Sequence, residues 1–252
     1  MDKIKRLANF ISESKSIVVF TGAGISTESG ISDYRSKGGI WERFQPVTFQ
    51  EFLASEAKRK EYWRTKFQLY ETMREAQPND GHKAIVAIEQ LGKLKGLITQ
   101  NIDGLHQMAG TSPEKIIELH GTNRETVCLS CGELRAWQEV YERLKQGEAA
   151  PQCRKCRGLL KPNTISFGQA LDVKVLEHAI DWVRDCDCLL AVGSTLIVEP
   201  AASIPRLAKR NGAKLAIITI SETPLDDSVD LVINAAIGAT LNAALKLIPT
   251  SS

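Results

Sequence analysis

Cys128-Leu-Ser-Cys131 and Cys153-Arg-Lys-Cys156 are the densest chemistry in the sequence. Each pair has the spacing of a zinc knuckle, and four thiolates on two tight turns suffice to surround one tetrahedral Zn²⁺. With all four positions filled by protein, such an ion is structural, because no position is left for water or substrate. Gly132 and Gly158 follow the pairs closely, as tight turns tend to need. The other reading, redox-active pairs or unpaired thiols, rarely produces two matched pairs. Cys186 and Cys188 stand apart at the start of an apolar run and read as small buried core residues.

A second centre starts at Gly22-Ala23-Gly24, directly after the apolar run Ser16–Phe20. Glycines there let the backbone turn sharply and approach a pyrophosphate, with amide N–H groups as donors. The motif is incomplete as a dinucleotide fingerprint. Thr27 replaces its third glycine, and no acidic residue ends a second strand about 20 residues on to hold a ribose. Hydride transfer is therefore disfavoured. Tyr34 and Arg35 follow in a flexible stretch and suit a lid, the guanidinium pairing with phosphate and the ring shielding a reactive carbon from water. A solvated Arg35 and a core Tyr34 fit equally well.

Gln100-Asn101-Ile102-Asp103 sits where another apolar run ends, the place where open α/β sheets bind ligands. These side chains suit ribose hydroxyls and a carboxamide, or Asn101 or Asp103 caps a helix. His120 follows Ile116-Ile-Glu-Leu119 and precedes Gly121, a candidate general base with an ordinary pKa of about 6.5. His82, His106 and His178 read as structural.

The elements that must position these groups are legible as period and run. Residues 3–14 have helical spacing, and 16–20 read as a buried parallel strand. Further strands are expected at 96–100, 188–193 and 215–220, and helices at 81–94 with Asp80 as N-cap, 173–185, 200–210 with Pro205 in the first turn, and 238–247. Alternation of this kind predicts an α/β fold, a Rossmann-like parallel sheet with helices on both faces. Residues 44–77, helical and rich in charge and aromatics, and 125–159, with the four cysteines, interrupt the rhythm. The expected division is a Rossmann-like unit of 1–43, 78–124 and 160–252, and a small lobe made of the helical and zinc-binding insertions. The closing Thr-Ser-Ser is expected to fray.

The 252 residues are 43% hydrophobic and 25% charged, with a net charge of +2. That balance predicts no nucleic-acid partner. No run of about 18 apolar residues marks a membrane span, and the N-terminus lacks the pattern of a secretory signal. A cytoplasmic location is expected, where thiols stay reduced.

Taken in order, Gly22–Arg35, Thr99–Gly110, Leu119–Gly121, the two Cys pairs and Gly193–Ala202 resemble the sirtuin family over nearly the whole chain. The resemblance implies an NAD-dependent deacylase acting on acylated-lysine proteins, with NAD⁺ as co-substrate and one structural Zn²⁺. It places Gly22, Ala23, Gly24, Thr27, Tyr34 and Arg35 at the dinucleotide. Gln100, Asn101, Ile102 and Asp103 match the nicotinamide and ribose pocket, with Asn101 counted as catalytic. Gly193, Ser194, Thr195 and Thr219 fall on the adenosine side. Phe167 and Gly168 match the strand that pairs with substrate backbone, a form of β-augmentation. The implied chemistry is attack of the acyl oxygen on the ribose as nicotinamide leaves, with His120 as base on a ribose hydroxyl.

This chain departs from the family pattern at Ser32 and Tyr34 (usually Pro and Phe), at Ser194-Thr195 (usually Thr-Ser), at Gln169 (usually Glu) and at Thr219 (usually Asn). The Tyr-x-x-Arg pair of members that prefer acidic acyl groups is not reproduced in Glu61–Lys66, although Trp63 and Lys66 offer an aromatic and a cation. A neutral acyl group, acetyl first, is expected. Two rival readings are an NAD-dependent protein mono-ADP-ribosyltransferase on the same scaffold and a non-catalytic NAD-binding or zinc-ribbon module.

Overall fold

The computed structural model describes residues 2–36 and 38–249. The Thr-Ser-Ser end lies outside the described residues. In chain order the elements are α1 (Lys3–Glu13), β1 (Ile17–Thr21), α2 (Ile40–Arg43), α3 (Phe49–Ala54), α4 (Glu56–Met73), α5 (Asp80–Gln90), β2 (Leu94–Thr99), α6 (Leu105–Ala109), β3 (Ile116–Glu118), β4 (Gly121–Cys128), β5 (Leu134–Ala136), α7 (Trp137–Lys145), β6 (Leu160–Thr164), α8 (Val173–Arg184), β7 (Cys188–Val192), α9 (Ser203–Arg210), β8 (Lys214–Ile218), β9 (Leu231–Ile233) and α10 (Ile237–Leu245). A 3₁₀ segment, Ala23–Ser29, follows β1.

Six strands form a parallel sheet in the order β3-β2-β1-β7-β8-β9. β1 lies inside the sheet and all its residues are buried. Because strand side chains alternate, Ile17 and Val19 join one core layer while Val18 and Phe20 join the other. The first layer is closed by Leu7 and Ile11 of α1, Ile85 and Ile88 of α5 and Leu241 of α10. The second is closed by Ala179 and Val183 of α8 and Ile204 and Ala208 of α9. From β1 the chain runs outward through β2 and β3, then returns to build β7, β8 and β9 on the other side. The reversal leaves a crevice at the carboxyl ends of β1 and β7.

A second, antiparallel sheet has the order β5-β4-β6. Its core joins Phe52, Tyr62 and Trp63 from α3 and α4 to Trp137 and Tyr141 of α7 and to Cys128, Cys153 and Leu160. Trp63 stacks on Trp137 with ring centroids 5.9 Å apart, and Phe67 on Tyr141 at 5.3 Å. Segments 44–77 and 125–159 thus share one core, and β6 pairs with β4 beside them.

Several boundaries differ from the sequence reading. Asn79, not Asp80, caps α5: its side chain accepts from the amides of Gly81 and His82, and His82 completes a capping box. The helix ends at Gln90 rather than 94, because Gly92 turns left-handed at φ 70° and Leu94 already starts β2. α9 starts at Ser203, with Pro205 in its first turn as expected. His106 lies in the short helix α6. No helix among the described residues is long and apolar enough to cross a membrane.

Candidate active site

The crevice becomes a site because two glycine turns are pressed together across it. Gly22 N donates to Val192 O at 3.0 Å and Gly24 N to Gly193 O at 2.8 Å. A Cβ on Gly24 would lie 2.8 Å from Gly193 O, and one on Gly22 2.9 Å from Ser194 Cα, so neither position accepts a side chain without moving backbone. Ser194 Oγ accepts from Gln100 Nε2 at 2.8 Å, which joins the ends of β2 and β7 across β1.

Asn101 is buried and points beneath the first turn, its Nδ2 donating to Gly22 O at 3.1 Å and to Ser26 Oγ at 3.2 Å. Ser26 Oγ in turn donates to Asp103 Oδ2 at 2.7 Å. Asp103 also serves the local role weighed from sequence: its Oδ1 accepts from Leu105 N at the start of α6, although the formal N-cap, Gly104, has no side chain to offer. One carboxylate therefore both fixes the helix and holds the glycine turn's hydroxyl.

His120 stands at the wall of the same cavity, between β3 and β4. Its Nδ1 lies 3.0 Å from Gln100 O. A carbonyl only accepts, so Nδ1 carries the proton and Nε2 keeps a free lone pair. Burial lowers the pKa below the ordinary histidine value, against the opposing pull of the Gln100 carbonyl. Burial thus favours the neutral ring, and the Gln100 carbonyl selects the tautomer that leaves Nε2 as the base.

His82 and His106 are sealed in the interior, consistent with structural roles. Burial drives both pKa values down, that of His82 to about 4. His178 packs edge-on against Trp182 at 4.8 Å.

Tyr34 and Arg35, expected from sequence to form a lid, also line the cavity. Tyr34 and Trp41 lie 5.8 Å apart, and Trp41 reaches Phe167 at 5.6 Å. The Arg35 guanidinium stacks over Trp41 at 4.1 Å from the ring centroid. Phe167 O accepts from Phe49 N at 2.9 Å and Gly168 O from Gln50 Nε2 at 3.0 Å, so α3 carries the Phe167-Gly168 segment.

The cavity measures about 410 Å³, within the range of small-molecule sites. It is lined by Gly22, Ala23, Gly24, Tyr34, Arg35, Gln100, Asn101, Ile102, His120, Phe167, Gly168, Gly193, Ser194, Thr195 and Thr219. Thr27 and Asp103 are not among the lining residues: Thr27 Oγ1 turns back to Gly24 O, and Asp103 supports from behind. Sequence reasoning missed Trp41, Tyr62 and Leu69, which also line it. Tyr62 and Leu69 offered no signal beyond an aromatic and an apolar residue in a charged helical stretch, and Trp41, which precedes that stretch, offered none. Of the two α4 groups weighed, Lys66 faces the cavity, whereas Trp63 is stacked on Trp137 in the small core. Tyr62 supplies the aromatic instead.

The four cysteine sulfurs lie within 4.8 Å of one another. Cys128 and Cys156 sulfurs are 3.5 Å apart and those of Cys131 and Cys153 3.8 Å. A tetrahedron with Zn–S bonds of about 2.3 Å has edges close to these lengths, so the thiols fit Zn²⁺. Gly132 takes the left-handed turn after the first pair at φ 71°, but in the second pair Arg157 does so at φ 61°. Gly158 is needed for space: a Cβ there would meet Cys128 Sγ at 3.0 Å. Cys186 and Cys188 are buried in the sheet core, as expected.

Residues 22–200 match the model of the Sir2 family. The chain is 46% identical over 238 residues to NAD-dependent protein deacetylase 1 of Bradyrhizobium diazoefficiens, covering 94% of this chain and 93% of that protein. Among solved structures, a Sir2 with a deacetylated p53 peptide and 3′-O-acetyl-ADP-ribose superposes with a TM-score of 0.90 at 34% identity, covering 97% of this chain and 98% of that one. A Sir2 with p53 peptide and NAD⁺ gives 0.87 at 33% identity, covering 98% of each chain. The glycine turns, the buried Asn101 and the half-buried His120 therefore sit in a chain that belongs to the Sir2 family.

Proposed function

We propose that this protein removes acyl groups, acetyl first, from protein lysines at the expense of NAD⁺, releasing nicotinamide and O-acyl-ADP-ribose. The single observation that carries the reading is His120, whose Nδ1 is held by Gln100 O and whose Nε2 is left free in the cavity that the Gly22–Gly24 turn adjoins. The relatives support it, one named an NAD-dependent protein deacetylase and one solved with 3′-O-acetyl-ADP-ribose.

NAD⁺ supplies an activated glycosidic bond, since nicotinamide leaves neutral from a cationic ring. The rest of the chemistry belongs to side chains. Backbone amides of the Gly22-Ala23-Gly24 turn and the Arg35 guanidinium hold the phosphates. Gln100, Asn101 and Ile102 line the nicotinamide and ribose pocket, Asn101 fixed by Gly22 O and Ser26 Oγ, with Asp103 behind. Ser194, Thr195 and Thr219 offer hydroxyls on the adenosine side. Tyr34 and Trp41 exclude water from the reacting carbon. His120 Nε2 takes the proton of a ribose hydroxyl. Phe167 and Gly168 pair with the substrate backbone.

The same reading assigns 1–43, 78–124 and 160–252 to the dinucleotide-binding unit and 44–77 with 125–159 to the small lobe. It places one structural Zn²⁺ on Cys128, Cys131, Cys153 and Cys156, and the protein in the cytoplasm.

The test is one reaction: an acetyl-lysine peptide with NAD⁺, followed for nicotinamide release and peptide mass. Loss of the acetyl mass with stoichiometric nicotinamide supports deacylation. A gain of ADP-ribose on the protein or peptide assigns the chain to ADP-ribosyl transfer, and no nicotinamide release leaves a binding module.

A further inference from the structure

Lys161 is a buried charge to which the chemistry above gives no task. It lies in β6 with 1% of its surface exposed. Lysine is almost never sealed in this way without a partner, because an ammonium taken out of water must recover its hydration as hydrogen bonds. Among the described residues, the charged groups that act on it are Tyr62, which favours the ammonium, and Lys66, which opposes it; neither is a carboxylate. Its Nζ donates instead to two carbonyls of its own strand, Pro162 O at 3.0 Å and Thr164 O.

Those carbonyls belong to the least regular stretch of the small sheet. Gly121 pairs with Thr164 and Thr126 with Pro162, so β4 bulges opposite Asn163. Gly121 is left-handed at φ 73°, and a Cβ on it would overlap Asn163 O. Just past the bulge, Ile165 N donates to His120 O at 2.8 Å. Thr164, Ile165, Ser166 and Phe167 then line the cavity. Tyr62 closes the same wall, its hydroxyl 3.3 Å from Ser166 Oγ. Burial raises the Tyr62 pKa, but the charges of Lys66 and Lys161 bring it below the ordinary value. One ammonium carries three donors on a flexible stem, so it can serve two carbonyls of its own strand at once. An apolar residue of the same length would fill the volume and leave both acceptors without this donor.

We propose that Lys161 is a positioning residue for the deacylation reaction. By gathering the carbonyls of Pro162 and Thr164 it fixes the bend of β6. That bend presents Thr164–Phe167 to the substrate peptide and, through Ile165 N, holds the backbone of His120. The proposal rests on the deacylase reading and names a group that acts on the site from behind, touching neither NAD⁺ nor peptide.

The experiment compares the full-length wild-type chain with Lys161→Met, which keeps the stem and removes the donors, and Lys161→Gln, which keeps a neutral donor. An acetyl-lysine peptide and NAD⁺ are the substrates. The readouts are kcat, KM for the peptide, NAD⁺ affinity by calorimetry, Tm, and the NMR shift of the Ile165 amide. Lys161→Met should move the Ile165 amide and lower kcat/KM for the peptide at least tenfold, as loss of a charged hydrogen bond does, with NAD⁺ affinity near the wild-type value. Lys161→Gln should fall between the two, and it carries the same comparison if Lys161→Met does not fold. Unchanged peptide kinetics in a folded variant overturn the proposal. So does a loss shared equally by peptide turnover and NAD⁺ affinity, with the Ile165 amide unmoved, because that pattern marks general destabilisation. A wild-type chain that releases no nicotinamide with the acetyl peptide strikes the deacylase reading instead, and the Ile165 shift still reports on the bend.

Discussion

Strand β1 buries all of its residues, whereas β5 buries none. The contrast runs through the two sheets. The parallel sheet is held by two layers of Ile, Val and Leu, and each apolar side chain fully buried contributes about 1.5–3 kcal/mol before entropy is charged against it. The antiparallel sheet has three strands, one of them too short to bury any residue, and its core is a row of aromatic rings ending at the cysteine cluster. A unit with that little aliphatic core needs a staple. The large sheet has stability enough to leave polar groups such as Asn101 and Gln100 at its strand ends, where a ligand can use them. The small one spends its chemistry on holding itself together and lends the cavity the 44–47 segment, one face of α4 and the end of β6.

Removal of the Zn²⁺ proposed for the cysteine cluster is the severest way to break this comparison. Structural Zn²⁺ is worth about 10–16 kcal/mol in small zinc domains, more than the whole stability of a typical domain. Chelation, or Cys128→Ser, should expose the amides of β4, β5 and β6 to rapid hydrogen exchange and abolish deacylation, while β1 and β7 stay protected. Uniform loss of protection in both sheets would show that the parallel unit leans on the small one.

His120→Ala tests the opposite side of the contrast, chemistry without architecture. Deacylation should fall by about 10²–10⁴-fold, the usual worth of a general base, with NAD⁺ affinity by calorimetry still measurable. Equal deacylation removes His120 from the mechanism. The pH profile sharpens the point. The base is the neutral form, present above the folded pKa, and burial places that pKa below the ordinary 6.5. The ratio kcat/KM should therefore stay flat through pH 7 and decline only as pH falls through a value under 6.5.

The same two regions differ in how far they could be read in advance. Runs such as Ile17–Thr21 and Cys188–Val192 are legible because a strand buried on both faces has no polar residue to disguise it. Paired cysteines are legible because few other roles need that spacing. Cavity residues at strand ends were legible only with the family resemblance beside them, since Asn101 alone reads equally well as a cap. Trp41 and Tyr62 were harder still. Trp41 depends on where α2 lands against Phe167, more than a hundred residues away in sequence, and Tyr62 on which face of α4 turns to the cavity. Boundary errors have local causes of the same kind: Asn79 was passed over as a cap because Asp80 beside it is equally suited by type, and only the backbone decides.

A smaller effect should follow Gly24→Ala. The residue has no left-handed backbone, so its reason is space alone: the new methyl would meet Gly193 O at 2.8 Å and Gly193 Cα at 2.9 Å. Overpacking of this kind costs about 1–3 kcal/mol, or a fall in Tm of roughly 2–4 °C per kcal/mol at this size. If the displaced backbone is the turn that holds the phosphates, as proposed, NAD⁺ affinity should fall as well. An unchanged Tm with unchanged affinity would show that the two turns are not packed as tightly as their hydrogen bond implies.

Thr48→Ala should have the smallest effect and discriminates between the two units best. Thr48 and Glu51 form a capping box at α3, with Thr48 N donating to Glu51 Oε2 at 2.8 Å. Its loss costs about 1 kcal/mol. Spread over a cooperative molecule, that is a small change in Tm. In a marginal unit it appears locally, as faster exchange confined to α3 and its neighbours. The helix also holds the carbonyls of Phe167 and Gly168 through Phe49 N and Gln50 Nε2. A loosened α3 should thus raise KM for the peptide severalfold and leave kcat and NAD⁺ affinity near their starting values. A drop in kcat alone would mean that α3 acts on the reacting atoms and not on the docking of substrate, and the division of labour between the two sheets would have to be redrawn.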